Sequence, residues 1–181
     1  MGFVNDITLR LVNVPWDLDF LYQIMTAPDQ YLFSTMTPLN SKDDFANWFL
    51  PRLQNDFHDF RVIMLQDKLI GVVYNYDFSL TNGHCKICTD VLEQYRNSGT
   101  GGVATILYMN YLFQSYPLRK IYSTVYEYNR QSLLSNARSG FVEEGVITRY
   151  KYHDGKYSDI HYFSISRESF NTKLRKYIGG E

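Results

Sequence analysis

One stretch of the chain combines residue types and spacing suited to holding a phosphate: Gln94-Tyr95-Arg96-Asn97-Ser98-Gly99-Thr100-Gly101-Gly102. Glycine lacks a Cβ, so the backbone can turn tightly there and bring its N–H groups against a ligand. Residues 85–92 ahead of the stretch read as a strand, and the apolar run 103–113 behind it reads as a helix. The first N–H groups of a helix have no intrahelical partner, and the positive end of the dipole lies beside them. A strand, a glycine turn and a helix in that order form a site for phosphate or pyrophosphate. A Walker loop is excluded, because no Gly-Lys-Ser/Thr is present. The dinucleotide pattern G-x-G-x-x-G would have Ala104 at its third glycine, which that pattern tolerates. No parallel β-α-β continuation is expected after it, and no acidic residue on a second parallel strand.

A second group lies on the strand before that turn. By alternation His84, Lys86, Cys88 and Asp90 share one face; Asp90 is the candidate general base, a solvated strand-end carboxylate being the alternative, and His84 reads as a turn residue. Cys85 and Cys88 form a C-x-x-C, but with no second pair and with the two residues on opposite faces of a strand they read as reduced, buried thiols. His153, Asp154, Asp159 and His161 could resemble metal ligands. Their positions in and beside a hairpin turn account for them, and no metal is expected.

The elements that position these residues follow from periodicity. Residues 7–14 alternate as a first strand, and Leu18, Leu21, Tyr22 and Met25 recur at helical spacing after Pro15 and Asp17. Residues 27–40 read as loop. Ser41 with Asp44 opens a second helix carrying Phe45, Trp48, Phe49 and Leu53, in which Pro51 is a kink or an end. Residues 60–65 and 69–78 are strands around a tight turn, with Gly71 as a bulge or bend. Residues 84–92 form the fourth strand, 118–126 the fifth. Asn129 to Ser139 is a short helix closed by Gly140. Residues 141–152 and 157–165 form a hairpin around Asp154-Gly155, and the tail is a loose helix.

The chain has 181 residues, 45% hydrophobic and 20% charged, which suits a single domain over 1–181. Net charge is −1, without the basic excess that a nucleic-acid partner requires. No run approaches the length of a membrane span, and residues 1–6 lack a signal-peptide pattern, so a cytoplasmic protein is expected. The sequence leaves monomer and homodimer open. Its 16 Tyr, 12 Phe and 2 Trp supply a packed core and an aromatic cleft.

The order β-α-α-β-β-β-α-β-α-β-β, with Arg96-x-x-Gly99-x-Gly101 after the fourth strand, resembles the GNAT N-acetyltransferase superfamily over residues 7–168. Leu69-Ile70-Gly71 and Val91-Leu92-Glu93-Gln94-Tyr95-Arg96-Asn97-Ser98-Gly99-Thr100-Gly101 resemble its cofactor strands and loop. Asn129-x-x-Ser132 with Gly140-Phe141-x-x-Glu144-Gly145, and the hairpin around Asp154-Gly155-Lys156, resemble the branch of the RimJ and RimL ribosomal-protein N-acetyltransferases.

That resemblance implies an α/β GNAT fold. Its sheet would be mixed, mostly antiparallel, of about seven strands splayed between the fourth and fifth and flanked by about four helices. It implies acetyl-CoA as acyl donor, without a metal, and an amine acceptor: a peptide N-terminus, an amino sugar or a small metabolite amine. It places the amides of Val91 and Leu92 on pantetheine and on the thioester carbonyl. The amides of Asn97, Ser98, Gly99, Thr100, Gly101 and Gly102 would hold the pyrophosphate with Arg96 beside it, and Asn129 would approach the pantetheine arm. Asp90 is the candidate base, directly or through water with Glu93. A family Tyr that protonates the thiolate is replaced here by Asn136, and Ser132 is the candidate substitute, a helix-capping serine being the alternative. Trp16, Tyr31, Phe33, Trp48, Tyr74, Tyr76, Tyr126 and Tyr128 are candidate walls of the acceptor cleft. The competing function is a domain that binds acyl-CoA or docks a partner without turnover.

Overall fold

The computed structural model describes residues 6–32 and 41–173. The alternating runs form seven strands: β1 (Ile7–Leu11), β2 (Phe60–Leu65), β3 (Lys68–Ser79), β4 (His84–Val91), β5 (Lys120–Tyr126), β6 (Val142–His153) and β7 (Lys156–Ser166). The helical runs form α1 (Leu18–Met25), α2 (Lys42–Leu53), α3 (Thr100–Ser115), α4 (Arg130–Arg138) and α5 (Arg167–Lys173), the last being the tail helix. Short 3-10 turns occupy Pro28–Leu32 and Glu93–Tyr95. The sheet order is β1-β2-β3-β4-β5-β7-β6, and β4 with β5 is its one parallel pair among the described residues, so that β4, α3 and β5 form a parallel β-α-β unit where the sequence led to none being expected. That pair has three rungs, His84↔Lys120, Cys85↔Ile121 and Lys86↔Tyr122. Both strands continue beyond the last rung without pairing, which is the expected splay.

The two faces of the sheet bury separate cores. Val73, Cys85, Ile87 and Ile121 pack against Tyr108, Met109 and Leu112 of α3 and Phe170 of α5. Val62, Val72 and Tyr74 pack against Leu21 and Ile24 of α1 and Phe45 and Phe49 of α2. Cys85 belongs to the first core and Cys88 borders the second, so the two free thiols point to opposite faces. Burial pushes the Cys85 thiol up to about 12, which keeps it protonated and inert.

Local chemistry sets the helix ends. The Ser41 hydroxyl accepts from Asp44 N at 3.0 Å and caps α2. Pro51 sits inside the last turn of that helix, two residues before its end at Leu53. Asp17 does not cap α1 with its side chain. Its carboxylate instead accepts two hydrogen bonds from the Arg10 guanidinium at 2.9 Å and one from Asn13 N at 2.6 Å. The start of α1 is thereby tied to the end of β1.

Gly71 lies next to a bulge, where Ile63 faces Gly71 but Met64 faces Leu69. A Cβ on Gly71 would stand 2.4 Å from the Asp90 carbonyl oxygen. Only glycine lets β3 approach β4 this closely, at the rung beside Asp90 and Val91. Gly71→Ala is therefore expected to destabilise the protein by about 1–3 kcal/mol, the usual size of an overpacking penalty. Gly145→Ala on β6, where a Cβ would meet no atom within 4 Å, should leave the melting temperature unchanged or raised. Thermal unfolding of both variants checks this pair.

Candidate active site

The direction of each β4 amide follows from the ladder. Leu92 N donates to Ile70 O at 2.9 Å, so the Leu92 N–H faces β3. In an antiparallel pair the hydrogen-bonding residues alternate. Cys88 and Asp90 therefore bond β3 as well, while Thr89 directs its N–H and C=O, and Val91 its N–H, into the splay; the Val91 C=O accepts from Arg96 Nε. This corrects the sequence expectation for Leu92, whose amide is committed to the sheet and whose side chain packs in the core under α1 and α2. Thr89 is the residue that sequence reading missed, and it was legible only through a register that one residue's slip would invert.

The glycine turn enters α3 through Gly99 at φ 87°, a left-handed conformation that favours glycine. The first intrahelical bond runs from Val103 N to Gly99 O. The amides of Gly101 and Gly102 precede it, have no partner among the described residues, and border a cleft of about 890 Å³. A Cβ on Gly101 would touch only Val91 at 3.8 Å, and one on Gly102 nothing within 4 Å. Packing within the protein therefore does not require these glycines. Thr105 clamps the helix start by donating its hydroxyl to Gly101 O at 2.8 Å while lying 2.8 Å from the Thr89 hydroxyl.

Asp90, Val91, Arg96, Asn97, Gly99, Gly101, Gly102, Asn129 and Ser132 all line this cleft; Leu92, Ser98 and Thr100 do not. Ser98 donates its hydroxyl to Tyr95 O at 2.5 Å, and buried Thr100 donates to the same oxygen at 3.0 Å. These two side chains shape the turn. Asn97, at φ 62°, accepts from Gln131 Nε2 at 2.6 Å, which joins the turn to α4.

Arg96 faces inward. Its guanidinium pairs with Asp29, lies 3.5 Å from Asp90, and donates from Nε to Val91 O at 3.0 Å. It anchors the Pro28–Leu32 turn to the end of β4. The cleft cations with no carboxylate partner among the described residues are Arg138 and Lys173, both missed in the sequence. Asp90 is 4% exposed and accepts from Gln30 Nε2 at 2.9 Å, with its Oδ1 making no hydrogen bond. Burial pushes its carboxyl up to about 7, against the opposing pull of Gln30 and Arg96.

The cap of α4 is Asn129, not Ser132. Asn129 Oδ1 accepts from Ser132 N at 3.1 Å, and its Nδ2 donates to Leu32 O at 3.2 Å. Both ends of the Asn129 amide are thus engaged in holding α4 and the Pro28–Leu32 turn together. The Ser132 hydroxyl, released from capping, makes no hydrogen bond among the described residues and borders the cleft. Asn136 donates to Ser132 O at 3.1 Å and borders a smaller space of about 110 Å³ inside the splay, between Ile87–Thr89 and Ser123–Val125.

That space joins two larger ones. Thr89, Thr105, Asn129 and Ser132 line both it and the 890 Å³ cleft. Tyr76 and Thr124 line both it and a third cleft of about 390 Å³ on the side of α2. Their hydroxyls lie 3.2 Å apart across the gap. Of the expected aromatic walls, Trp48, Tyr74 and Tyr76 line the third cleft, joined by Tyr150 and Tyr162. Tyr126 and Tyr128 stack on each other with ring centres 5.3 Å apart, outside it. Trp16 is 80% exposed and lies apart from it; Phe33 and the Tyr31 side chain lie outside the described residues. Asp159 accepts from Arg149 N at 2.7 Å and His161 lies 2.9 Å from Glu143. Among the described residues no three His, Cys, Asp or Glu side chains gather as metal ligands.

No protein-family model matches the chain. It is 24% identical over 169 residues to the SPbeta prophage-derived uncharacterized N-acetyltransferase YokL of Bacillus subtilis, covering 92% of this chain and 93% of that protein. A candidate ribosomal N-acetyltransferase of the same organism, YdaF, is 24% identical over 176 residues, with 92% and 95% covered. The fold superposes with a TM-score of 0.85 on a Vibrio cholerae spermidine N-acetyltransferase in complex with CoA and spermine, at 20% identity over 92% of this chain and 99% of that one. The chain has the fold of the GNAT superfamily. Within that superfamily the relatives single out no one branch, RimJ and RimL included. The amides of Gly101 and Gly102, without a partner among the described residues, border the cleft at the start of α3, where a phosphate group would fit.

Gly101→Ala should fold normally, and the alanine should be tolerated or favoured in a helix by up to about 1 kcal/mol. Its affinity for coenzyme A should nevertheless fall about tenfold or more, because the methyl stands where the ligand's backbone contact lies. Calorimetry with coenzyme A, paired with a melting curve, reads both numbers.

Proposed function

We propose that the protein acetylates a primary amine by direct attack on acetyl-CoA, in the cytoplasm and as a monomer or homodimer. The amine belongs to a peptide N-terminus, an amino sugar or a small metabolite. The observation that carries this reading is the continuous opening through the sheet. The cleft at the glycine turn leads into the splay, and the splay opens onto a separate aromatic cleft at Tyr76 and Thr124. A donor entering from one face and an acceptor from the other would meet between β4 and β5.

The geometry supports the following roles. Gly101 and Gly102 amides hold the pyrophosphate, with Arg138 and Lys173 at the rim. Val91 and Thr89 amides bond the pantetheine arm and stabilise the oxyanion. Asp90 takes the ammonium proton through water, since only the neutral amine attacks. Ser132 returns a proton to the leaving thiolate. Asn136, standing where a phenol was expected, favours the second reading, a domain that holds acyl-CoA without turnover.

Thiol release from acetyl-CoA with a panel of amines separates the two, since a binding domain releases none with any amine. Ser132→Ala should lower turnover more than acetyl-CoA affinity, as for an interaction made in the transition state. Because Asn129 carries the cap, its stability should stay within about 0.5 kcal/mol of the parent; a Ser132→Ala protein with normal turnover removes Ser132 from the mechanism. The kcat/KM profile should show an ionisation near the Asp90 value of about 7 that Asp90→Asn abolishes. Burial raises this carboxyl above its unfolded value, so the folded protein binds the extra proton. Stability should fall as pH rises from about 4 to about 7, and Asp90→Asn should flatten that slope.

A further inference from the structure

The third cleft has a charge pattern opposite to that needed for a polycation. It is lined by two cations, Arg52 and Lys86, and by one carboxylate, Asp77. That carboxylate is already committed, since Lys86 Nζ lies 2.9 Å from Asp77 Oδ2. Residues 33–40, outside the described part, contribute no charged side chain in sequence. Arg52 donates one N–H to Trp48 O at 2.5 Å and stacks its guanidinium 4.2 Å over the Trp48 ring. It has no carboxylate partner among the described residues, and four of its five N–H donors remain available. His58 shares the cleft, and its pKa is lowered by burial first and then by the charge of Arg52. The field of Arg52 therefore reaches into the cleft.

Building on the proposed amine acetylation, we propose that the acceptor carries an anionic oxyacid group, a carboxylate or a phosphate, close to its amine, and that Arg52 binds that group. A planar guanidinium fixed on an indole presents the fork that matches such an anion. A cleft of about 390 Å³ holds a small molecule or a terminal residue, so the anion and the amine belong to the same small unit. The indole, phenols and Lys86 hold its body, and the amine end reaches the Tyr76–Thr124 gap. The cations also disfavour a second positive charge, which assists loss of the ammonium proton.

The test uses matched acceptors that differ only in the anion: glucosamine and glucosamine 6-phosphate, an amino acid and its amide, and a peptide beginning Ser-Asp against one beginning Ser-Asn, with spermidine as the polycation. Binding is measured by calorimetry on the CoA-loaded protein, and turnover by thiol release. The expected result is that the anionic member of at least one pair binds about tenfold tighter than its neutral partner, the scale of one charge-assisted contact. Arg52→Gln should erase that preference while leaving coenzyme A affinity unchanged, and Lys86→Gln should weaken it. The pair that shows the preference identifies carboxylate or phosphate. Equal binding within every pair, tighter binding of spermidine, or a preference that survives Arg52→Gln overturns the proposal. Anion-selective binding with no thiol release from any acceptor would support the Arg52 site and overturn the transfer reaction instead.

Discussion

Strands β4 and β5 share three rungs and then separate, and the remaining features of the site depend on that separation. Backbone N–H and C=O groups inside a sheet are ordinarily paired, because an unpaired buried one costs on the order of 1–3 kcal/mol. Beyond Lys86↔Tyr122 Thr89 turns its N–H and C=O, and Val91 its N–H, toward a gap. The fold tolerates this where a ligand or water fills the space. Side chains rather than ladder bonds hold the gap's borders. Thr89 and Thr105 pin the start of α3 to one side, Asn129 holds α4 over the other, and the Tyr76–Thr124 contact spans the opening toward the third cleft.

The same separation divides the chemistry between two environments. On one side lie the start of α3, with its unbonded amides, and the cations Arg138 and Lys173, an arrangement for phosphate. On the other lie indole and phenol faces with Arg52 and Lys86. Asp90 sits under the end of β4, buried beneath the Pro28–Leu32 turn and held by Gln30 and Arg96. Burial pushes its carboxyl up to about 7, against the pull of Gln30, sixty positions earlier, and of Arg96.

Much of the fold was legible because its signals are local. Period-2 alternation marked the seven strands, Asp154-Gly155 marked the last hairpin, and Ser41 with Asp44 marked the start of α2. The glycine turn was legible for the same reason. Long-range features were not. The inward pairing of Arg96 depends on Asp29, 67 positions away by number, and a phosphate role was the natural expectation from its place beside the glycines. Leu92 was placed in the splay and Thr89 left out because orientation depends on the β3–β4 register. Ser132 was weighed as a cap, whereas Asn129 three residues earlier holds that role. Asp17 carried a helix-start signal and instead joins β1 to α1. In each case a competing tertiary partner decided the matter.

The claim that the unpaired β4 amides receive coenzyme A can be read one amide at a time. Hydrogen exchange followed by NMR distinguishes an amide bonded within the sheet from one facing an open gap. The account predicts that Leu92 is protected in the free protein, that Thr89 and Val91 exchange faster than it does, and that coenzyme A protects both of them together with Gly101 and Gly102. Protection of Thr89 and Val91 before ligand is added, or exchange at those amides that saturating coenzyme A leaves unchanged, would contradict it.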